Sequence, residues 1–239
     1  MKNISFEIFP CNNIKDLSVL INYLNKNKPS FVSVTFGKIN NLKFVKNIQK
    51  QISTKIIPHL ICDNIFNIIN YIIYFIKIKI FNFLIITGDK NKNNSIKYIY
   101  FIRFLFGHII KIITGCYFEN HKFSKNFKNE ILFHYKKNKI GTNMCITQFF
   151  YNFNTIKYYI NIIKKTGISK NFILGIISKK NIKDILNYTN LCKIDIPIWI
   201  IKNYKEFNIE LFFVKNLKKY KNLHFYTFNN INLIKNYFK

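Results

Sequence analysis

The 239-residue sequence contains no alanine, and Arg103 is the single arginine among its 38 basic residues. Acidic side chains number only 10, so the formal net charge is +28. Charge of that size ordinarily points to nucleic acid or an acidic membrane surface. The missing arginines argue otherwise, because bidentate recognition of phosphate and guanine is arginine chemistry. The lysines are also spread along the chain without a dense tract. Ile, Asn, Lys, Phe and Tyr dominate throughout, the usage of a coding sequence strongly biased to A and T, in which Lys stands wherever a basic residue is tolerated. No specific nucleic-acid partner is therefore expected.

Other absences narrow the class further. The five cysteines, Cys11, Cys62, Cys116, Cys145 and Cys192, form no Cys-x-x-Cys pair and have no histidine at zinc-finger spacing. They read as reduced core residues of a cytoplasmic protein that holds no metal. A secretory signal is not expected, because Glu7 and Pro10 interrupt the apolar run near the start. The stretch from Ile65 to Ile86 has the length of a membrane span, yet Asn67, Asn70, Lys77, Lys79 and Asn82 interrupt it. Its pattern turns from helical to strand-like near Lys79, so it reads as a helix followed by a buried strand, with no membrane partner. Neither an internal repeat nor a Pro/Gly/Ser linker divides the sequence, and residues 1–239 are expected to form one catalytic domain.

Within ten residues of the start, Ser5-Phe6-Glu7-Ile8-Phe9-Pro10 sets a carboxylate inside an apolar β-type run. Strand alternation puts Ser5, Glu7 and Phe9 on one face and Ile4, Phe6 and Ile8 on the other. An inward Glu7 would have its pKa raised by burial and could act as a general acid. The competing reading is a strand-edge glutamate reaching solvent.

Short β-branched and aromatic runs then alternate with longer amphipathic segments, the pattern of βα units around a parallel sheet. Strand candidates are Ile4–Phe9, Phe31–Thr35, Ile56–Ile61, Ile80–Ile86, Ile109–Cys116, Met144–Phe149, Phe172–Gly175 and Leu223–Thr227. Helix candidates are Ile14–Lys26, Asn41–Ile52, Ile65–Phe75, Ile96–Phe106, Asn126–Lys139, Thr155–Thr166, Ile182–Leu191 and Lys205–Tyr220, with a last one near Asn230–Tyr237. Eight such units predict an α/β fold, a closed (β/α)8 TIM barrel. Polar residues fall near the ends of successive runs: Glu7, Thr35, His59, Asp89, Tyr117 with Glu119 and His121, Gln148, and Tyr226 with Thr227. In such a barrel those ends share one active-site face. Singly each has a plainer reading: His59 and His224 as satisfied core histidines, His108 and His134 as surface or packing residues, Gly88-Asp89 as a turn.

With these residues in place, the chain resembles methylenetetrahydrofolate reductase, a family of flavin enzymes. The matching pieces are SFEIFP at 5–10, FVSVTFG at 31–37, PHLIC at 58–62, LIITGD at 84–89, YFENH at 117–121, ITQFF at 146–150, IPIW at 196–199 and HFYTFN at 224–229. The resemblance implies a barrel holding FAD at the strand ends, with NADH or NADPH as co-substrate and a folate as the molecule reduced, in the path to methionine. It places Glu7 on the catalytic glutamate, Asp89 on an aspartate beside flavin and pterin, and Gln148 on a folate contact. It puts Thr35, His59, Gly88, Asp89, Tyr98, Gly115, Tyr117, His121, Glu130 and Lys137 on FAD contacts, and Tyr188 on an aromatic that sandwiches NADH or folate.

There are departures. Thr87 and Asn230 stand where the family has arginines, Leu174 where it has proline, Asp184 where it has glutamine, and Glu130 where it has aspartate. The segment between Trp199 and His224 is short. Two other readings stay open, an eroded barrel that only binds flavin or folate and a lysine-driven nucleic-acid binder, and the oligomeric state, homo-oligomer included, is left open. If the charge reflects composition, random duplex DNA should bind only with a Kd of about 10⁻⁴–10⁻⁶ M at physiological salt, the non-specific range. Fluorescence anisotropy checks this, and nanomolar binding at that salt would contradict it.

Overall fold

Asparagine, so abundant in the composition, has a structural use at the helix starts. Asn13, Asn64, Asn126, Asn152 and Asn181 precede five helices, and each side chain accepts a hydrogen bond from a backbone N–H of the first turn. Such caps satisfy donors that the helix cannot, at about 1 kcal/mol apiece. The computed structural model describes residues 3–11, 13–35, 41–88, 95–119, 124, 126–167, 172–177, 181–203 and 209–230.

The strands are β1 (Asn3–Ile8), β2 (Val32–Val34), β3 (Ile56–Ile61), β4 (Asn82–Ile86), β5 (Lys111–Cys116), β6 (Met144–Thr147), β7 (Phe172–Ile177) and β8 (Asn222–Tyr226). Between them run α1 (Ile14–Asn27), α2 (Asn41–Gln51), α3 (Ile65–Lys77), α4 (Ser95–Phe106), α5 (Phe127–Lys139), α6 (Phe153–Thr166), α7 (Ile182–Cys192), α8 (Ile198–Lys202) and α9 (Ile209–Leu217). Every neighbouring strand pair is parallel, and β8 pairs back onto β1, so the sheet is a closed barrel. The predicted (β/α)8 barrel is the fold.

Boundaries moved where backbone chemistry intervenes. The predicted strand Ile80–Ile86 starts two residues late because Lys79, at φ 64°, turns the chain after α3. The predicted helix Lys205–Tyr220 is Ile209–Leu217, preceded by the short α8 that begins just after Pro197. The predicted last helix near Asn230–Tyr237 lies outside the described residues apart from Asn230. No helix among the described residues is long and apolar enough to cross a membrane.

Two apolar layers follow from the strand period of two. Phe6, Ile8, Val32, Val34, Phe83, Ile85, Ile112, Leu174, Ile176 and Phe225 pack outward with the helices in the larger core. Phe31, Ile57, Leu84, Ile113, Ile146 and Ile173 meet inside the barrel. Ser5, Ser33 and His224 add a polar floor to that interior, with Ser5 Oγ 2.8 Å from His224 Nδ1 and Ser33 Oγ 3.3 Å from Nε2. Of the five cysteines, all free, Cys62, Cys116 and Cys145 are core residues, whereas Cys11 and Cys192 are only partly covered.

Arg103 lies on α4 and spends its guanidinium on the protein itself. Its Nε and Nη2 donate to Gly141 O at 2.9 and 2.7 Å, Nη1 to Gly107 O and to Ile110 O at 2.8 Å, and Nη2 to Asn143 Oδ1. These bonds tie α4 to the turns that enter β5 and β6.

At Gly175, in β7, a Cβ would stand 2.1 Å from Thr147 O and 2.7 Å from the Tyr226 ring, while the glycine N–H donates to Thr147 Oγ1 at 2.8 Å. Gly175→Ala should therefore destabilise the barrel by about 3 kcal/mol, the upper end of ordinary overpacking. Urea denaturation measures it, and an unchanged midpoint would contradict the close approach.

Candidate active site

The barrel opens into a cavity at each end. The one at the strand starts, about 290 Å³, is lined by Asn3, Asn82, Asn143, Asn222, serines and the exposed Lys55 and Lys111. The one at the strand ends is slightly smaller, about 270 Å³, but it gathers Glu7, His59, Gln148, Tyr117, Tyr188, Cys116, His224 and Tyr226. Size does not separate them. Chemistry does, since only the second holds a carboxylate and imidazoles, and it lies where barrel enzymes work.

Glu7 reaches this cavity because β1 alternates: Phe6 and Ile8 are fully buried among the helices, and Glu7 points the other way. It is 8 % exposed, and the Thr35 hydroxyl donates to its Oε1 at 2.7 Å. Strand register sets Glu7 beside Ser33 of β2 and Tyr226 of β8. The Tyr226 hydroxyl is committed elsewhere, donating to Thr147 O at 2.8 Å.

His59 is buried, and its Nε2 has no hydrogen-bond partner among the described residues. Burial lowers its pKa from 6.5 to about 3, so the ring is a neutral imidazole. His224, fully buried and held by two serines, is lowered to about 3 for the same reason, with the neighbouring His59 adding to it. The plainer reading of the two histidines thus holds for His224, whose nitrogens are satisfied, and fails for His59. Gln148, half-buried on the same cavity, accepts from Phe149 N at 3.0 Å. A buried nitrogen such as His59 Nε2 costs free energy until something hydrogen-bonds it.

Two glycines stand at the mouth. Gly88 adopts φ 84°, and a Cβ there would meet Ile61 at 2.7 Å; at Gly115 only the Tyr117 hydroxyl lies within reach, at 4.0 Å. The sequence-predicted site residues therefore divide. Glu7, His59, Gly88, Gly115, Tyr117, Gln148 and Tyr188 line one cavity, and Thr35 stands behind Glu7. Tyr98, Glu130 and Lys137 stand back from it: Tyr98 donates to Asp63 O at 2.7 Å, Lys137 to Gly115 O at 2.9 Å, and Glu130 accepts from Ser124 Oγ. Asp89 and His121 lie outside the described residues.

Sequence reasoning passed over the aromatic lining, Phe149 and Phe228, whose residue type looks like ordinary core. Near the rim, burial pushes the Glu119 carboxyl up to about 7, partly offset by the N–H of Asp195 donating at 2.8 Å.

The family model described as methylenetetrahydrofolate reductase matches residues 1–239. The chain belongs to the methylenetetrahydrofolate reductase family. Proteins named 5,10-methylenetetrahydrofolate reductase resemble it over most of both lengths. One from Buchnera aphidicola subsp. Baizongia pistaciae is 29 % identical over 217 residues, covering 83 % of this chain and 72 % of the relative. One from Buchnera aphidicola subsp. Schizaphis graminum is 28 % identical over 258 residues, covering 96 % and 88 %. The Escherichia coli protein is 25 % identical over 260 residues, covering 95 % and 86 %. Among solved structures, a sialic acid aldolase from Ruminococcus gnavus superposes with a TM-score of 0.57 at 9 % identity, over 98 % of this chain and 70 % of that one, a likeness of fold alone.

In this reductase-family barrel the two buried imidazoles make a pH signature. Both bind a proton more weakly folded than unfolded, so between 6.5 and about 3 the unfolded chain holds more protons and stability falls as the pH drops; above 6.5 neither contributes. Chemical denaturation at a series of pH values should show this fall. His59→Gln should show a shallower one, and equal slopes would contradict a neutral His59.

Proposed function

We propose that the protein reduces methylenetetrahydrofolate to methyltetrahydrofolate, with FAD as bound cofactor and NADH or NADPH as electron donor. The observation that carries this is the meeting of Glu7 and Gln148 with His59, whose Nε2 has no partner among the described residues, around one cavity, in a chain of this family. An apolar hollow with a few convergent polar groups fits a flat heteroaromatic ligand. The residues also fit the flavin: His59 has a hydrogen bond to give or take, and Gly115 leaves room that a side chain would fill.

When bound, FAD would supply the hydride chemistry, taking a hydride from the nicotinamide and passing it to the one-carbon unit. His59, Gly88, Gly115 and Tyr117 would hold the flavin ring end, with Thr35 and Lys137 bracing their surroundings. Asp89, His121, Tyr98 and Glu130 complete the set that the resemblance assigns, and Asp89 is assigned a second role beside the pterin. Gln148 would hydrogen-bond the folate, and Tyr188 would stack on folate or nicotinamide. Glu7 would deliver a proton to the ring nitrogen that departs when the folate's five-membered ring opens. The Thr35 hydroxyl on its Oε1 would fix the carboxyl's orientation for that transfer. A protein of this kind would work in the cytoplasm, as one catalytic domain.

Two experiments test the reading. Heat-denatured protein, expressed with ample riboflavin, should release free FAD, and a colourless supernatant would overturn the flavin assignment. Glu7→Gln keeps the shape and loses the transferable proton. NAD(P)H should bleach its flavin at close to the wild-type rate, whereas reoxidation by methylenetetrahydrofolate should slow by about 10²-fold or more, a general-acid contribution. Stopped-flow absorbance of each half-reaction decides: equal slowing of both would make Glu7 structural.

A further inference from the structure

Just past β8 the backbone does something its residues resist. Phe228 and Asn229 both adopt left-handed conformations, at φ 51° and 60°. Asparagine tolerates that region; a bulky phenylalanine there is an outlier. A turn that served only to leave the strand could use glycine at no steric cost. Strain kept at the edge of a cavity points to side chains that are needed where they are.

Those side chains reach across to the strand that carries the acid. The Asn229 amide reads both backbone groups of Phe9, accepting from Phe9 N at 2.8 Å and donating to Phe9 O at 3.0 Å. Thr227 Oγ1 donates to Glu7 O and accepts from Asn229 N at 3.2 Å. The β1–β8 ladder itself ends at Glu7 and Tyr226, so the turn continues the closure for two residues beyond Glu7. Phe228 lines the cavity, lies parallel to the Phe9 ring at 5.9 Å and 13°, and packs at 4.8 Å on Tyr188 of α7.

We propose that Phe228 and Asn229 are positioning residues: their strained turn locks the backbone on which Glu7 stands and joins it, through the Phe9–Phe228–Tyr188 row, to the ring on which substrate stacks. The acid and the stacking surface are thereby held as one rigid unit. The proposal rests on the folate-reductase reading and deepens it.

Asn229→Gly is the decisive variant, because glycine takes the left-handed conformation freely while the two bonds to Phe9 vanish. Its thermal midpoint should stay near wild type. Hydrogen exchange at the Phe9 amide should speed up roughly tenfold or more as its acceptor is lost. The ratio of folate-driven to nicotinamide-driven rates should fall about 10²-fold, the cost of misplacing a reacting group by about 1 Å. Phe228→Leu, which keeps an apolar wall but not the ring row, should lower the same ratio by less. Unchanged exchange at Phe9 overturns the proposal. So does faster exchange with an unchanged ratio, and so does equal slowing of both half-reactions. Should the wild-type protein carry no flavin, the folate-reductase reading fails, and exchange at Phe9 alone then judges the clamp.

Discussion

Closure of β1 against β8 is the contact on which the rest of the molecule depends. It joins residues 220 apart in sequence, Glu7 and Thr227 among them, and until it forms the sheet has two open edges and no interior. Loop-closure entropy grows only logarithmically with length, so the long span adds little to the cost of closing once the helices have packed. The gain is large: eight parallel ladders without an exposed edge. The same contact sets the site, because Glu7 belongs to one closing strand and His224 and Tyr226 to the other.

Inside, the barrel separates polar groups by whether the protein satisfies them. His224 sits between Ser5 and Ser33 and stacks on Phe31 at 5.6 Å. His134, on α5, stands 2.5 Å from the Tyr159 hydroxyl and 3.6 Å from Cys145 Sγ behind the sheet. These are internal networks, closed on themselves. At the strand ends the pattern changes, and His59 Nε2 is left without a partner among the described residues. Open valences in a hollow are a demand for a ligand.

Much of this was legible in the sequence because two periods carried it. Alternation in Ser5-Phe6-Glu7-Ile8 predicts an inward carboxylate, and Glu7 lines the cavity while its neighbours fill the outer core. Polar residues at the ends of apolar runs predict a shared face, and His59, Tyr117 and Gln148 meet there. What was not legible depends on tertiary partners. Nothing in the residue types says that Tyr98 and Lys137 would turn to the carbonyls of Asp63 and Gly115. Phenylalanine carries no signal for a left-handed backbone, so the turn at Phe228 was invisible, and the start of β4 slipped because a lysine, not a glycine, makes the turn at Lys79.

The fork of Arg103 shows where a drift in composition has to stop. A lysine there would offer three donors from one point, whereas the four carbonyl-type oxygens around it lie in the spread that only a planar guanidinium covers. Mutational pressure toward A and T turns arginine codons into lysine codons at little cost on a wet surface. At this one site the replacement would leave half-buried carbonyls unpaired where the chain turns into β5 and β6, and geometry holds against the codon.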